Sequence, residues 1–461
     1  MNQSIARLLV ASLGLIPLGG CGVAVENLDC DLTQRASQSA PATVAANVHV
    51  DGSGSMLGYV SPRNPNSEYI QTIELIYNTF SLTPGQRGMP ETQFFRSHAP
   101  TQAMSASQFR KAKNPDFYDG SNPAFPPVTS NLDQAIVRAE DEAAADQMLV
   151  LVTDLNMDEG DNTRLLKKIQ GMYFGPNYPQ SAIAVIGINS DYSGRVYPVD
   201  GGSPYPYPAD GGSADRPFYI LLMGPQTEVE FYLQALKKDG GNPMAEANIS
   251  LFTPAQVVKT LAHFNRPQSV PDTGDLSQPG SLNDGNVSLE EPNPDQTELF
   301  ELSSSATPQR IDYQIPIQAS PFAVPIDPAS IQFNYQIAYF DKFEKKFIDK
   351  SEDPNLQNAF SFENLSLNGD QQLRLETVID PAALQEMPGI YKYQVDAVVT
   401  DFQEPDWWDS WSWESDRDEA TDGSKTRGLI SFMKNLKNIA ATQAKTQQAT
   451  LGRFCVGLQQ N

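Results

Sequence analysis

Positive charge is scarce in this chain. Its 461 residues carry 32 Lys and Arg against 56 Asp and Glu, a net charge of −24. Such a surface repels phosphate backbones, and no basic cluster offsets it, so nucleic acid is excluded as a partner. A cation or a basic partner fits better. Histidine is almost absent. His49, His98 and His263 are the only three, none with a catalytic motif around it. His49 shares a strand face with Asp51, where a packed or surface imidazole is a commoner outcome than a base. No P-loop or dinucleotide fingerprint occurs, and Ser53 and Ser55 do not fit the G-x-S-x-G elbow. "DLNMDEGDN", residues 154 to 162, starts like an EF-hand loop, but Gly160 is one place late and Leu165 stands where the closing Glu belongs. These absences argue against an enzyme. Length and an apolar content of 40% are those of a folded chain with two or three domains.

Long apolar runs are missing where a membrane span would need them. The N-terminal "LLVASLGLIPLG" has twelve residues, too few for a hydrocarbon layer of about 30 Å. With Arg7 as the only charge before it, residues 1 to 20 read as a secretory signal. Leu18-Gly19-Gly20-Cys21 resembles the lipobox of bacterial lipoproteins, in which the cysteine becomes the acylated N-terminus. The resemblance implies an exported protein, lipid-anchored to the cell envelope. Gly22 in place of Asp implies the outer membrane if the cell has two. A plain signal peptide cleaved nearby is the alternative. Cysteine is scarce too. Once Cys21 is set aside, Cys30 and Cys455 remain, near the two ends of the mature chain. In an exported protein a disulfide between them is expected; two free buried thiols are the alternative.

Residues 21 to 43 read as a tether. From 44 to 265, apolar strand runs alternate with helical ones. "TVAANVHVD", "ETQFFRSH", "MLVLVTD", "SAIAVIGIN" and "RPFYILLMG" read as strands. "SEYIQTIELIYNTF", "SNLDQAIVRAEDEAAADQ", "NTRLLKKIQGMY" and "TEVEFYLQALKKDG" read as helices. The alternation predicts an α/β domain, a doubly wound, mostly parallel sheet. "YPVDGGSPYPYPADGGS" repeats the unit YP-x-DGGS. It reads as a loop or irregular hairpin, either an exposed insertion or an accessory recognition loop. Residues 266 to 298 are dense in Pro, Gly, Ser, Asp and Asn and read as a linker. Residues 299 to 461 contain alternating strands that predict a small antiparallel sandwich, immunoglobulin-like sandwiches being one form, with a helix near its end.

"VHVDGSGSMLGYV" supplies the site. The first strand stops at Asp51, and Ser53 and Ser55 follow among glycines. Asp-Gly and Ser-Gly pairs are also ordinary turn chemistry. In a doubly wound sheet, ligands bind beyond the carboxyl ends of the strands. Asp154 ends another strand, and Ser130 opens the helix before it. Two carboxylates and three hydroxyls are hard oxygen donors, suited to Mg²⁺ first and to Ca²⁺ or Mn²⁺ as alternatives. This pattern resembles the metal-ion-dependent adhesion site of von Willebrand factor A-type domains, D-x-S-x-S, then Thr, then Asp. Asp51, Ser53 and Ser55 match the first loop, Ser130 takes the Thr position beside Thr129, and Asp154 matches the last. The resemblance covers about half the chain. It implies a divalent cation with one position open to a carboxylate of a protein partner, and so an adhesion or interaction lipoprotein. A permanent structural part of an envelope assembly is the alternative.

The tryptophans are also few and misplaced. All four, Trp407, Trp408, Trp411 and Trp413, fall within seven residues among acids. A strand carrying Trp411 and Trp413 on one face is the ordinary reading. A docking loop with at least two tryptophans exposed, facing a partner or the first domain, is the sharper one.

Overall fold

The continuous apolar runs of the first half lie in strands covered on both faces. These are β1 (Ala45–Asp51), β2 (Glu91–Ser97), β3 (Gln102–Met104), β4 (Gln147–Thr153), β5 (Ser181–Tyr192), β6 (Gly194–Val196), β7 (Tyr205–Tyr207), β8 (Ala214–Pro225) and β9 (Asn248–Phe252). The structure, a computed structural model, describes residues 26–30, 44–137, 147–156, 159–175, 178, 180–198, 203–264, 275–290, 296–303, 307–368, 372–413 and 423–460. The signal sequence, Cys21 and most of the tether lie outside them.

Seven strands form one sheet in the order β3-β2-β1-β4-β8-β5-β9. Helices α1 (Glu68–Leu82) and α3 (Gln226–Asp239) cover the face that carries Val48, Val150 and Ile186. Helix α2 (Glu159–Tyr173) covers the face of Leu149, Leu151 and Val185. The layers are those of an α/β fold, but the sheet is not mostly parallel. Only β1–β2 and β1–β4 run parallel. The other four pairs are antiparallel. The reason is the connection. Parallel neighbours need a crossover, usually a helix. Among the described residues, the span from 193 to 213 supplies only the short β6–β7 hairpin, and β8 folds back on β5 and wedges between β5 and β4. The helix expected from Ser130 to Gln147 is a single 3-10 turn at Leu132–Gln134 in its described part; residues 138 to 146 lie outside the described residues.

The strands of the second half pair mostly antiparallel. They are β10 (Leu276–Ser277), β11 (Ser281–Asp284), β12 (Val287–Glu290), β13 (Thr297–Leu302), β14 (Gln309–Pro316), β15 (Gln332–Asp341), β16 (Lys346–Asp349), β17 (Phe360–Leu367), β18 (Gln372–Ile379), β19 (Gly389–Val398), β20 (Ser412–Trp413), β21 (Thr426–Arg427) and β22 (Thr450–Gln460). A six-stranded sheet, β10-β13-β22-β19-β15-β16, faces a three-stranded one, β14-β18-β17. Rings meet across the gap, Phe360 to Tyr393 at 5.7 Å and Phe362 to Phe454 at 5.2 Å. The segment read as linker contributes β10 to β12, because Leu282 and Leu289 have a small core to enter with Leu299 and Phe340. The helix expected near the end, α5 (Leu429–Gln447), buries Leu429, Phe432, Met433 and Leu436, with Ile439 partly buried beside them. An unexpected strand follows it. β22 runs parallel to β13 and antiparallel to β19. Its glycines disguised it. An added Cβ on Gly452 would meet the Ala262 carbonyl at 2.9 Å, so the glycine marks close backbone approach and not a turn.

The two halves are joined through backbone as well as side chains. The Leu251 N–H of edge strand β9 donates to Phe322 O at 2.8 Å, and the Val324 N–H donates to Leu251 O at 2.9 Å. One buried cluster runs from Leu149 and Leu165 to Leu436 and Phe454.

Candidate metal centre

Strands β1 and β4 are parallel neighbours with Val50 opposite Val152, so their carboxyl ends share one edge of the sheet. Four of the five expected ligands meet there by hydrogen bonds. Asp51 Oδ1 accepts from the Ser53 N–H at 2.9 Å. The Ser53 and Ser55 hydroxyls are 2.9 Å apart. Ser130 Oγ donates to Asp51 Oδ2 at 3.0 Å. Ser130 is brought in by its loop, which bridges to the first one through Ser53 and Val128. Asp154, the fifth, is buried beside them. Its Oδ1 accepts from the Asn156 N–H at 3.2 Å, and its Oδ2 is buried without a hydrogen-bond partner among the described residues. Burial first, and the Asp154 charge second, raise the Asp51 pKa from 3.8 to about 6. Two like charges are thus held together away from water, an arrangement a cation relieves.

Three residues at this edge escaped the sequence reading. Thr153 Oγ1 donates to Asp51 Oδ2 at 3.0 Å, because the parallel register sets it, and not Asp154, next to Asp51. Arg96 is fully buried. Its Nη2 donates to Gly52 O at 3.0 Å and Phe117 O at 2.9 Å, and its Nη1 to Pro126 O at 2.9 Å. One guanidinium therefore ties three loops around the site. A Cβ on Gly52 would lie 2.4 Å from Arg96 Nε, which explains that glycine better than room for an ion does. Arg216 arrives on β8. Its Nη2 stands 3.7 Å from Asp154 Oδ2, and its Nη1 donates to Gly423 O of the second half at 2.7 Å. The only available signal for Arg216 was the missing crossover before β8, which makes it antiparallel and carries its start to this edge. The segment after β6 also places Tyr197 here. Its carbonyl accepts from Asn156 Nδ2 at 2.9 Å, and its hydroxyl would lie 3.6 Å from a Cβ added at Gly54.

His49 is packed, one of the two ordinary outcomes expected for it. It is buried, stacks on Phe95 at 4.6 Å and has its Nδ1 3.2 Å from Ser97 Oγ. Burial lowers its pKa to about 3. Among the described residues no three His, Cys, Asp or Glu side chains gather into a metal-binding group. The donors here are instead two carboxylates and several hydroxyls, and Asp154 Oδ2, which makes no hydrogen bond among the described residues and has only the distant charge of Arg216, is the oxygen that a hard cation would take.

The other expected sites lie elsewhere. Cys30 and Cys455 are bonded, with Cα atoms 6.1 Å apart. The tryptophans are not an exposed docking loop. Trp408 is fully buried and donates from Nε1 to Ser250 Oγ at 2.9 Å. Trp407, Trp411 and Trp413 are half-buried. Trp407 and Trp408 begin a one-turn helix, α4 (Trp407–Ser410), and not a strand. Trp411 packs against Gly187 of β5, where an added Cβ would lie 2.8 Å from the indole. Trp413 Nε1 donates to Lys425 O at 3.2 Å. The segment docks on the first half of its own chain. No described helix is long and apolar enough to cross a membrane. Compared with family models, with curated proteins and with solved structures, the chain matches none.

Proposed function

We propose that this chain is an envelope lipoprotein, acylated at Cys21, whose first half binds a divalent cation and through it an acidic side chain of a protein partner. The reading is that of a von Willebrand factor A-type adhesion module. The observation that carries it is the meeting of Asp51, Ser53, Ser55 and Ser130 beside the buried, half-orphaned Asp154. These five would hold the ion, Mg²⁺ in the first instance. When bound, the ion supplies a Lewis-acidic point that a carboxylate can complete. The chain's own residues do the rest. Thr153 orients Asp51, Arg96 fixes the loops, and Tyr197 at the start of the repeated insertion flanks the opening as a recognition element.

Thermal melts test the ion. At a hundredfold excess over Kd, Mg²⁺ should add about 2.7 kcal/mol to the stability of the native protein relative to EDTA. Asp51→Ala should abolish that gain. Equal midpoints with and without Mg²⁺ in the native chain would sink the reading.

One observation favours a metal-independent structural role in an envelope assembly. Arg216 already brings a positive charge to Asp154 and is held there by the second half. Partner capture from envelope extract with and without chelator separates the two. Binding lost in EDTA supports adhesion, and binding indifferent to EDTA supports the fixed assembly.

A further inference from the structure

The N-terminal arm, residues 26 to 30, is sewn to one end of the second half. Leu28 is buried with Leu282, Leu289 and Phe340, and Cys30 is bonded to Cys455. Glu26 grips the β15–β16 hairpin. Its N–H donates to Lys345 O at 3.1 Å, and its Oε2 accepts from the Phe347 N–H at 2.8 Å. The hairpin turn is itself pinned. Asp341 Oδ1 accepts from the N–H groups of Phe343 at 2.8 Å and Glu344 at 3.0 Å. This rigid turn holds Phe343 out in water. At 88% exposure it is the barest large apolar side chain among the described residues, and Ile348 of the same hairpin is 36% exposed. Lys342 Nζ lies 5.9 Å from the Phe343 ring, and Lys345 and Lys346 follow. The nearby acids are occupied, Glu344 with Lys346 and Asp284 with Lys342. The tip is therefore close to neutral on a chain of net charge −24.

Cys21 precedes Glu26 by five residues. Five residues of chain reach at most about 18 Å. An acyl anchor on Cys21 therefore puts this hairpin within that distance of the bilayer surface. We propose that the Phe343 turn is a second membrane contact, with the ring in the interfacial layer and the lysine ammoniums at the headgroups. The inference rests on acylation of Cys21, and the test keeps the two apart.

The mature full-length chain is placed on phosphatidylethanolamine–phosphatidylglycerol vesicles, and its acylation is read from intact mass. An environment-sensitive fluorophore is attached through Phe343→Cys in one sample and Leu82→Cys in another, Leu82 being a 67% exposed residue of the first half. The label at 343 should shift to the blue and be quenched by spin-labelled lipid, at a depth of about 5–10 Å below the headgroups. The label at 82 should stay aqueous. An acylated chain that floats with the vesicles while the 343 label remains aqueous overturns the contact and leaves the anchor standing. An unacylated Cys21 overturns both. Protection of the 343 label by envelope protein without vesicles also overturns it and assigns the turn to a protein partner.

Discussion

Asp51 is the residue on which the site turns, and its pH behaviour has a definite sign. Its carboxyl is raised from 3.8 to about 6 by burial and by Asp154. In the unfolded chain it ionises at its ordinary value. Between about pH 4 and 6 the folded protein therefore keeps a proton that the unfolded chain has lost, and stability falls as pH rises, by about 3 kcal/mol in all. That loss appears only without metal, since a cation favours the ionised form. In EDTA the native midpoint should drop across this window relative to Asp51→Asn, whose amide does not titrate. A constant gap between the two proteins would remove the paired-carboxylate picture. Arg96 gives a second test. Arg96→Met strands two buried carbonyls, those of Gly52 and Phe117, and frees the exposed Pro126 carbonyl to water, at a cost of about 2 kcal/mol or more. Arg96→Lys should recover little, because one ammonium cannot fork to three loops. Denaturant unfolding reads both, and a Lys variant as stable as native would mean that the clamp is not needed. The contrast between these residues shows what a sequence carries at this scale. Asp51, Ser53 and Ser55 are legible because they fall within five residues of sequence and are typed by chemistry. Arg96, Thr153 and Arg216 depend on register and strand order, which no local pattern encodes.

At the scale of elements, legibility followed burial. β4 and β5 are buried on both faces and were readable as unbroken apolar runs. The alternating β14, β18 and β19 were readable from their period of two. The direction of β8 was not, since an apolar run looks the same parallel or antiparallel, and only the helix-free insertion before it hinted at a hairpin. The tryptophan segment docks on the first half, one of the two surfaces expected for it, but the exposure expected for it is wrong, for a related reason. Four large apolar side chains among acids look like a surface device, yet their receiving surface, Gly187, Ser250 and Phe252, lies some 150 residues or more earlier in the chain. The packing makes a plain expectation. Trp408→Ala should cost about 3–5 kcal/mol, as removal of a buried aromatic does, and it leaves Ser250 Oγ without its indole donor. Acrylamide should quench the native emission only weakly. Strong quenching of most of the emission would show that the segment is undocked in solution.

At the scale of the whole molecule, the division into two halves describes the sequence better than the energetics. Helix α5 of the second half shares a core with α2 of the first. Phe322–Val324 extends the first sheet past β9. Tyr219 Oη donates to Thr426 Oγ1 at 2.9 Å, and Arg216 reaches Gly423. A first half cut out at residue 264 would bare the faces that receive Trp408 and α5, and it would leave β9 an open edge. Such surfaces favour aggregation. The intact chain should therefore unfold in one calorimetric transition, with calorimetric and van't Hoff enthalpies equal. Two perturbations at opposite ends of the molecule make this sharp. Mg²⁺ acts at the edge of the first sheet, whereas reduction of Cys30–Cys455 acts on β22 in the second half. If the core is continuous, each moves the same single midpoint, upward for the ion and downward for reduction. Two resolved transitions, one answering only to Mg²⁺ and the other only to reductant, would mean that the shared cluster does not couple the halves, and the control of Asp154 by Gly423 through Arg216 would fall with it.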